Sequence, residues 1–202
     1  MRTRLPADSL VGRAILSARI GPGAVIGLGL AASLVVPVLV ELGGGLVLVS
    51  LLLVGVTALA DASLSLLAAR SSGLSRRVLV FEPLAARLSE GAWLLALWNL
   101  GAPGPAVVIA GALCWTYEQT RARARQVGLR DLGMVTLGER SVRMLAVGLG
   151  LAAAGVISFA GGDQFRAWVS GAVTVAAVAW LLMAALGLLQ LVIVVSAALR
   201  EE

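Results

Sequence analysis

The chain has 202 residues, 59% of them hydrophobic and 13% charged, with a net charge of +5. This composition excludes a soluble globular domain and predicts an integral membrane protein. The 16 basic residues are all arginine, there is no histidine and there is one cysteine, so the chain alone cannot build a zinc or iron–sulfur site. Any metal would be a hard cation held by carboxylates, Mg²⁺ or Mn²⁺. Arginines at membrane edges explain the basic charge, so we expect no nucleic-acid partner.

The first 19 residues are predicted to form an amphipathic helix. Arginines are interleaved with Leu10, Val11, Ile15 and Leu16, a stripe that suits a helix lying on an anionic leaflet. A signal peptide is the alternative, but no small-x-small cleavage site follows a short apolar core. We therefore expect an interfacial helix at 1–19 and one transmembrane domain at 20–202.

Six apolar segments then follow, separated by polar loops and by turns rich in glycine and proline. A spanning helix requires roughly 20 residues. The predicted spans are 20–40, 42–60 with a helical continuation through Asp61, Glu82 to Leu100, Ala106 to about Tyr117, 144–162 and 167–199. The last run has 33 residues, so we expect one of its ends to project or bend. Five spans are the alternative count.

The arginines predict the orientation of the chain. With six spans, fifteen of the sixteen arginines, all but Arg166, fall on one side of the membrane. Both termini and the loop between the second and third spans are therefore predicted to be cytoplasmic. The expected location is the plasma membrane, with the chain crossing it several times.

Carboxylates and arginines meet in the stretch from Asp61 to Glu90. An ionisable side chain in or beside a membrane segment is costly enough to indicate a functional site. A cytoplasmic pocket of this kind suits a substrate with phosphates outside the bilayer and acyl chains within it.

This stretch resembles the signature of the CDP-alcohol phosphatidyltransferases, D-x-x-D-G-x-x-A-R followed by G-x-x-x-D-x-x-x-D, and especially the actinobacterial branch with phosphatidylinositol-phosphate synthases. Asp61 and Glu82 are 21 positions apart, as are the first and third aspartates of that branch. Three further segments are similar to that branch: Arg87-Leu88-Ser89-Glu90-Gly91-Ala92 to R-I-S-D-G-A, Arg121-Ala122-Arg123-Ala124 to K-A-R-A, and Glu139-Arg140-Ser141-Val142-Arg143 to E-R-P-x-R.

The resemblance implies six transmembrane helices, a homodimer, and metal-dependent transfer of a phosphatidyl-type group from a CDP-alcohol to a second alcohol. In that family four aspartates hold the metals, and the last acts as the base on the acceptor hydroxyl. The matching positions give Asp61 and Glu82 as candidate metal ligands and Ser65, Arg70 and Arg76 on the nucleotide side. Those on the acceptor-phosphate side are Arg121, Arg123, Arg140 and Arg143, supported by Glu90 and Glu139.

Several signature positions are changed in this chain. Leu64 stands where the second aspartate belongs, Ser65 at its glycine, Ala69 at the arginine, Val78 at the second glycine and Ala86 at the base. A set of two carboxylates in place of four is not expected to hold two divalent ions.

Each group of candidates also has a purely structural interpretation. Asp61 and Glu82 are expected, on that interpretation, to pair with Arg76, Arg77 or Arg87 and so neutralise charge in the membrane. The arginines of 118–143 would then anchor their loop to the anionic leaflet.

The sequence therefore predicts a protein of phospholipid metabolism that keeps the fold and has impaired or lost catalysis. It would bind a membrane lipid such as CDP-diacylglycerol, or pair as a homodimer or with an active paralogue. The alternative is an active transferase that uses Mg²⁺ or Mn²⁺ at a reduced carboxylate site. A small transporter is disfavoured because the charges gather at one membrane face.

Overall fold

The chain is helical throughout the residues that the computed structural model describes, 20–70, 75–129 and 139–200. These residues form six α-helices and one short 3-10 helix, without strands. The α-helices are α1 Pro22–Leu42, α2 Leu46–Arg70, α3 Arg76–Asn99, α4 Gly104–Gln126, α5 Arg140–Gly161 and α6 Arg166–Ala198, and the 3-10 helix Gly162–Phe165 joins α5 to α6. The predicted interfacial helix at 1–19 and the loop residues 71–74 and 130–138 lie outside the described residues.

Four of these helices, α1, α2, α5 and α6, are long and apolar enough to cross a membrane. Large apolar side chains cover the outside of the bundle, for example Leu52, Leu149 and Phe159. A surface of this kind would be unfavourable in water and matches lipid, so the chain is a membrane protein. The helices α3 and α4 have similar lengths but carry charged residues along their sequences.

The predicted glycine turns are present. Gly43 and Gly44 have φ angles of +72° and +58° between α1 and α2, and Gly101 has a φ of +103° between α3 and α4. Positive φ angles favour glycine because a Cβ atom would clash with the backbone. The Ser170 hydroxyl donates to the Gly101 carbonyl at 2.9 Å, which fixes the start of α6 against this turn.

One helix boundary differs from the prediction. The third helix begins at Arg76, whereas the sequence indicated a start near Glu82. Ser75 caps it, since its hydroxyl accepts a hydrogen bond from the Val78 amide at 3.4 Å. The final run is one continuous helix of 33 residues.

The bundle consists of two groups of helices. The first group places α1 along α2 and α3, the second places α6 along α4 and α5, and contacts between α2 and α5 join the two groups. Trp93 and Leu97 of α3, Val147 and Leu151 of α5 and Trp180 of α6 are fully buried where the groups meet. Cys114 belongs to this core, as the sequence predicted, and accepts a hydrogen bond from the Trp180 indole at 3.1 Å.

Buried hydroxyls connect α1 to α2. The hydroxyls of Ser33 and Thr57 are 2.9 Å apart, and the Thr57 hydroxyl also lies 3.2 Å from the Gly29 carbonyl. In a membrane interior such bonds stabilise helix pairs modestly and fix their register. These contacts hold α1 beside the C-terminal half of α2, which carries Asp61.

All the described arginines except Arg166 gather at one end of the bundle. Ion pairs connect the C-terminal half of α2, the middle of α3, the second half of α4 and the first turn of α5. At the other end, the Ser170 contact brings the start of α6 to the turn between α3 and α4. Arg166 lies at that second end, which agrees with the predicted asymmetry.

We expect Gly150→Ala to weaken the packing of α5 on α6. A Cβ atom at Gly150 would lie 2.6 Å from the Ala176 Cβ atom, which cannot rotate away. The unfolding free energy should fall by about 1–3 kcal/mol, the usual cost of overpacking. Unfolding of the purified protein in detergent measures this change, and Gly171→Ala on α6, which meets open space, is the matched control.

Candidate functional site

A small cavity opens where α1, α2, α3 and α5 approach one another. Its volume is about 20 Å³, enough for about one water molecule. The side chains that matter for its chemistry are Asp61 and Leu64 from α2, Glu82 and Ala86 from α3, and Arg140 from α5. The fold thus brings to one place four positions that the signature resemblance singled out separately, together with an arginine from a distant segment.

Arg140 is the cation of this cavity. Its Nε atom lies 3.1 Å from the Asp61 Oδ2 atom, and its guanidinium carbon lies 5.5 Å from the centroid of the Trp93 ring. The aromatic face attracts the cation, and the buried indole limits the positions that Arg140 can adopt. The sequence suggested Arg76, Arg77 or Arg87 as the partner of Asp61, and the structure provides Arg140 instead.

The residues of this cavity do not fit a divalent metal centre. The Arg140 guanidinium is in contact with the Asp61 carboxylate, so a positive charge already stands where an ion would bind. Leu64 and Ala86 are 7% and 4% exposed and present only carbon to the cavity. Within 20–70, 75–129 and 139–200, no group of three or more His, Cys, Asp or Glu side chains could hold a metal. Mg²⁺ requires a near-octahedral shell of oxygens, which a cavity with room for about one water does not supply.

A second charged cluster, formed by Arg87, Glu90, Glu118 and Arg143, lies deeper in the bundle. The Arg143 Nη2 atom donates to Glu90 Oε1 at 2.7 Å, and the Arg87 Nη1 atom donates to Glu90 Oε2 at 2.6 Å. Glu118 Oε1 lies 3.5 Å from Arg143 Nη2 and 3.4 Å from Arg87 Nη2. Two guanidinium groups therefore alternate with two carboxylates, and the formal charges of the cluster cancel.

This cluster holds three helices together. Arg143 is 0% exposed and Glu90 1% exposed, and they connect α5 to α3, while Glu118 adds α4. A buried charge without a partner costs several kcal/mol, so helices that carry these residues are stable only when they meet. Arg143 and Glu90 thus lie in the interior of the bundle, in contact with each other.

The other predicted site residues are dispersed. The hydroxyl of Ser65 donates to the Asp61 carbonyl at 3.3 Å within α2, and Arg70 is the last residue of that helix. Arg123 is exposed and donates to the Gln126 side chain at 3.2 Å within α4. Arg76 is exposed in the first turn of α3, and Arg121 is half-buried on α4. The carbonyl of Glu139 accepts a hydrogen bond from the Arg143 amide at the start of α5. The guanidinium groups of Arg123, Arg140 and Arg143 thus contact three different partners.

Sequence reasoning missed two residues of these sites. Glu118 was counted only as part of a charged loop, although a carboxylate that ends an apolar run carries the same signal that marked Asp61. Trp93 carried no such signal, because a tryptophan in an apolar run is usually a packing or interface residue.

A groove of about 330 Å³ separates α3 from α4 on the outside of the bundle. Leu94, Leu95, Val107 and Val108 form part of its apolar lining, and Glu90 also lines it. The small residues Gly91, Gly111 and Ala112 line it as well. Two exposed tryptophans, Trp98 and Trp115, complete this part of the lining. The groove therefore offers an apolar surface where another helix or a lipid chain can pack.

Solved structures provide the comparison that decides the fold. The phosphatidylinositol phosphate synthase PgsA1 of Mycobacterium tuberculosis with CDP-DAG bound superposes with a TM-score of 0.61 at 24% identity, over 89% of this chain and 90% of that one. The chain has the fold of a phosphatidylinositol phosphate synthase. The resemblance seen in the sequence is thus confirmed at the level of the fold.

Two further states of PgsA1 agree with this assignment. The complex with manganese and citrate has a TM-score of 0.61 at 24% identity, over 89% of this chain and 86% of that one. The apo form has a TM-score of 0.63 at 22% identity, over 90% of this chain and 94% of that one. No family model and no curated protein sequence matches the chain.

We expect Glu90→Gln to destabilise the phosphatidylinositol-phosphate-synthase-like bundle strongly. The substitution leaves Arg143 buried beside a neutral amide, and breaking a buried pair typically costs about 3–5 kcal/mol. Unfolding in detergent gives the change in free energy. Glu118→Gln is the matched control, because Glu118 is 32% exposed and its contacts are longer, so its loss should be smaller.

A double variant tests whether the loss of stability comes from the unpaired charge of Arg143. Glu90→Gln combined with Arg143→Met removes both charges of the buried pair and should recover part of the stability lost in Glu90→Gln alone. Additive losses in the double variant would contradict an ion pair between the two residues.

Proposed function

We propose that this chain belongs to the CDP-alcohol phosphatidyltransferase family and has lost its catalytic activity. The observation that carries this proposal is the presence of Leu64 and Ala86 in the same cavity as Asp61 and Glu82. Two apolar side chains thus replace a metal ligand and the base of the family signature. Among the described residues that line the cavity, none supplies a carboxylate in their place, and Arg140 contacts Asp61, the first of the two carboxylates that remain.

The proposal also includes how the six helices are arranged in the membrane. All six helices cross the plasma membrane, and the helix predicted at 1–19 lies on its cytoplasmic face. The clustering of the described arginines other than Arg166 at one end of the bundle supports cytoplasmic termini. It also supports spans for α3 and α4, because Arg87 of α3 and Glu118 of α4 belong to the same charged cluster as Arg143 of α5.

We further propose that the protein serves phospholipid metabolism chiefly by pairing with another copy or with an active relative. The cavity is too small for a nucleotide-linked lipid such as CDP-diacylglycerol, since ligand pockets usually measure about 300–1,000 Å³. By contrast, the groove between α3 and α4 is open and contains small residues that allow helices to approach closely. A homodimer or a heterodimer with an intact enzyme accounts for the retained fold.

An active transferase is the second candidate, and one observation favours it. Asp61 and Glu82 line one cavity, so the two remaining carboxylates are close enough to act on one substrate. On this alternative Mg²⁺ or Mn²⁺ would be required, together with opening of the cavity.

Activity measurements distinguish the two candidates. Purified protein in lipid, given Mg²⁺ or Mn²⁺, CDP-diacylglycerol and a panel of alcohols that includes inositol phosphate and glycerol phosphate, should release no CMP above the protein-free background. CMP release that disappears in both Asp61→Asn and Glu82→Gln would overturn the proposal. Arg125→Gln, which removes an exposed arginine of α4 outside the candidate site residues, is the control and should release the same amount of CMP as the wild-type protein.

The pairing is tested by a bulky residue in the groove. Ala112→Trp should lower the dimer fraction in lipid nanodiscs at least tenfold, as measured by mass photometry, because the new ring fills the space for a partner helix. Val175→Trp, on the exposed face of α6, is the matched control and should leave the fraction unchanged. A monomeric wild-type protein, expressed alone and also with an active relative, would contradict the pairing.

A further inference from the structure

The cavity of Asp61 and Glu82 contains its own positive charge. Arg140 reaches it from the first turn of α5, and its Nε atom lies 3.1 Å from Asp61 Oδ2. The Arg140 side chain is 18% exposed and the Asp61 side chain 38% exposed. The pair is therefore partly shielded from water at the edge of an apolar bundle, where an isolated carboxylate is unfavourable.

The position of Arg140 is fixed by more than the carboxylate. The Trp93 ring lies 5.5 Å from the guanidinium carbon, and this tryptophan is fully buried. A guanidinium remains charged at any physiological pH, and its planar fork suits both a carboxylate and an aromatic face. The indole thus supports Arg140 while the charge faces the cavity.

A divalent cation between carboxylates has two structural effects. It cancels their mutual repulsion, and it connects the segments that carry them. Arg140 offsets the charge of Asp61 in the cavity that Glu82 also lines, and because its backbone belongs to α5, the contact joins α5 to α2. Unlike a bound ion, this cation cannot dissociate.

We propose that Arg140 is an internal counter-ion that takes the place of a divalent cation in the Asp61–Glu82 cavity. The bundle is then stable without Mg²⁺ or Mn²⁺, and these ions do not bind the cavity of the wild-type protein. The proposal rests on the proposed function in one respect, namely that this cavity is the remnant of a metal-binding site.

The test compares the response of unfolding to Mn²⁺ in wild-type protein and in Arg140→Gln, both in uncharged detergent. The wild-type unfolding temperature should not change with added Mn²⁺. Arg140→Gln should unfold at a lower temperature, and Mn²⁺ should restore part of the loss, because the ion can enter the space that the guanidinium leaves. Electron paramagnetic resonance of Mn²⁺ should report affinity at least tenfold higher for the variant than for the wild-type protein.

Three further variants make the outcome specific. Arg140→Lys keeps the charge and should remain insensitive to Mn²⁺, whereas Arg140→Gln combined with Asp61→Asn should recover stability without Mn²⁺ and bind none. Arg125→Gln removes an exposed arginine of α4 and should behave like the wild-type protein.

Two results would overturn the internal counter-ion. One is wild-type protein that binds Mn²⁺ as tightly as Arg140→Gln and loses this binding in Asp61→Asn. The other is Arg140→Gln protein that folds and gains no affinity for Mn²⁺. Either result is independent of CMP release, so the counter-ion and the loss of catalysis can fail separately.

Discussion

The pair between Arg143 and Glu90 is the contact on which the arginine-rich end of the bundle depends. A chain surrounded by hydrocarbon cannot leave a charge unpaired, and this pair lies fully inside the protein with a 2.7 Å contact. Its neutralisation requires α3, α4 and α5 to meet in one register, since Arg87 and Glu118 complete the cluster. The charge of Asp61 also needs a partner, and Arg140 of α5 provides it. Two neighbouring ionic contacts therefore set the positions of four helices.

Much of the fold follows from the sequence alone. Charge-free runs predicted the helices, glycines predicted the turns at Gly43 and Gly101, and Cys114 was correctly placed in the core. The helix α3 begins at Arg76, six residues before Glu82, where the third span was predicted to start. A helix can carry charged residues for several turns before it enters lipid, and Ser75 supplies the cap that starts it earlier.

The sequence predicted which residues of α2 and α3 share the candidate site, but it did not predict which arginine pairs with Asp61. The resemblance to the family signature singled out Asp61, Leu64, Glu82 and Ala86, and the cavity contains all four. The partner of Asp61 was sought among arginines close in sequence, on the 70–87 segment. The actual partner comes from α5, because α2 packs along α5, a long-range contact that periodicity does not reveal. The burial of Arg143 depended on tertiary packing in the same way.

The length of α6 has a consequence for the shape of the protein at the membrane surface. Its 33 residues correspond to about 50 Å of helix, whereas the hydrocarbon core is about 30 Å thick. The Ser170 contact with the Gly101 carbonyl fixes the first turns of α6 at the arginine-poor end, so the excess length accumulates at the other end. Ordinary tilt absorbs part of it. The remaining turns, which end at Ala198, extend beyond the length of a span at the arginine-rich end of the bundle and form a rigid, largely apolar stalk there.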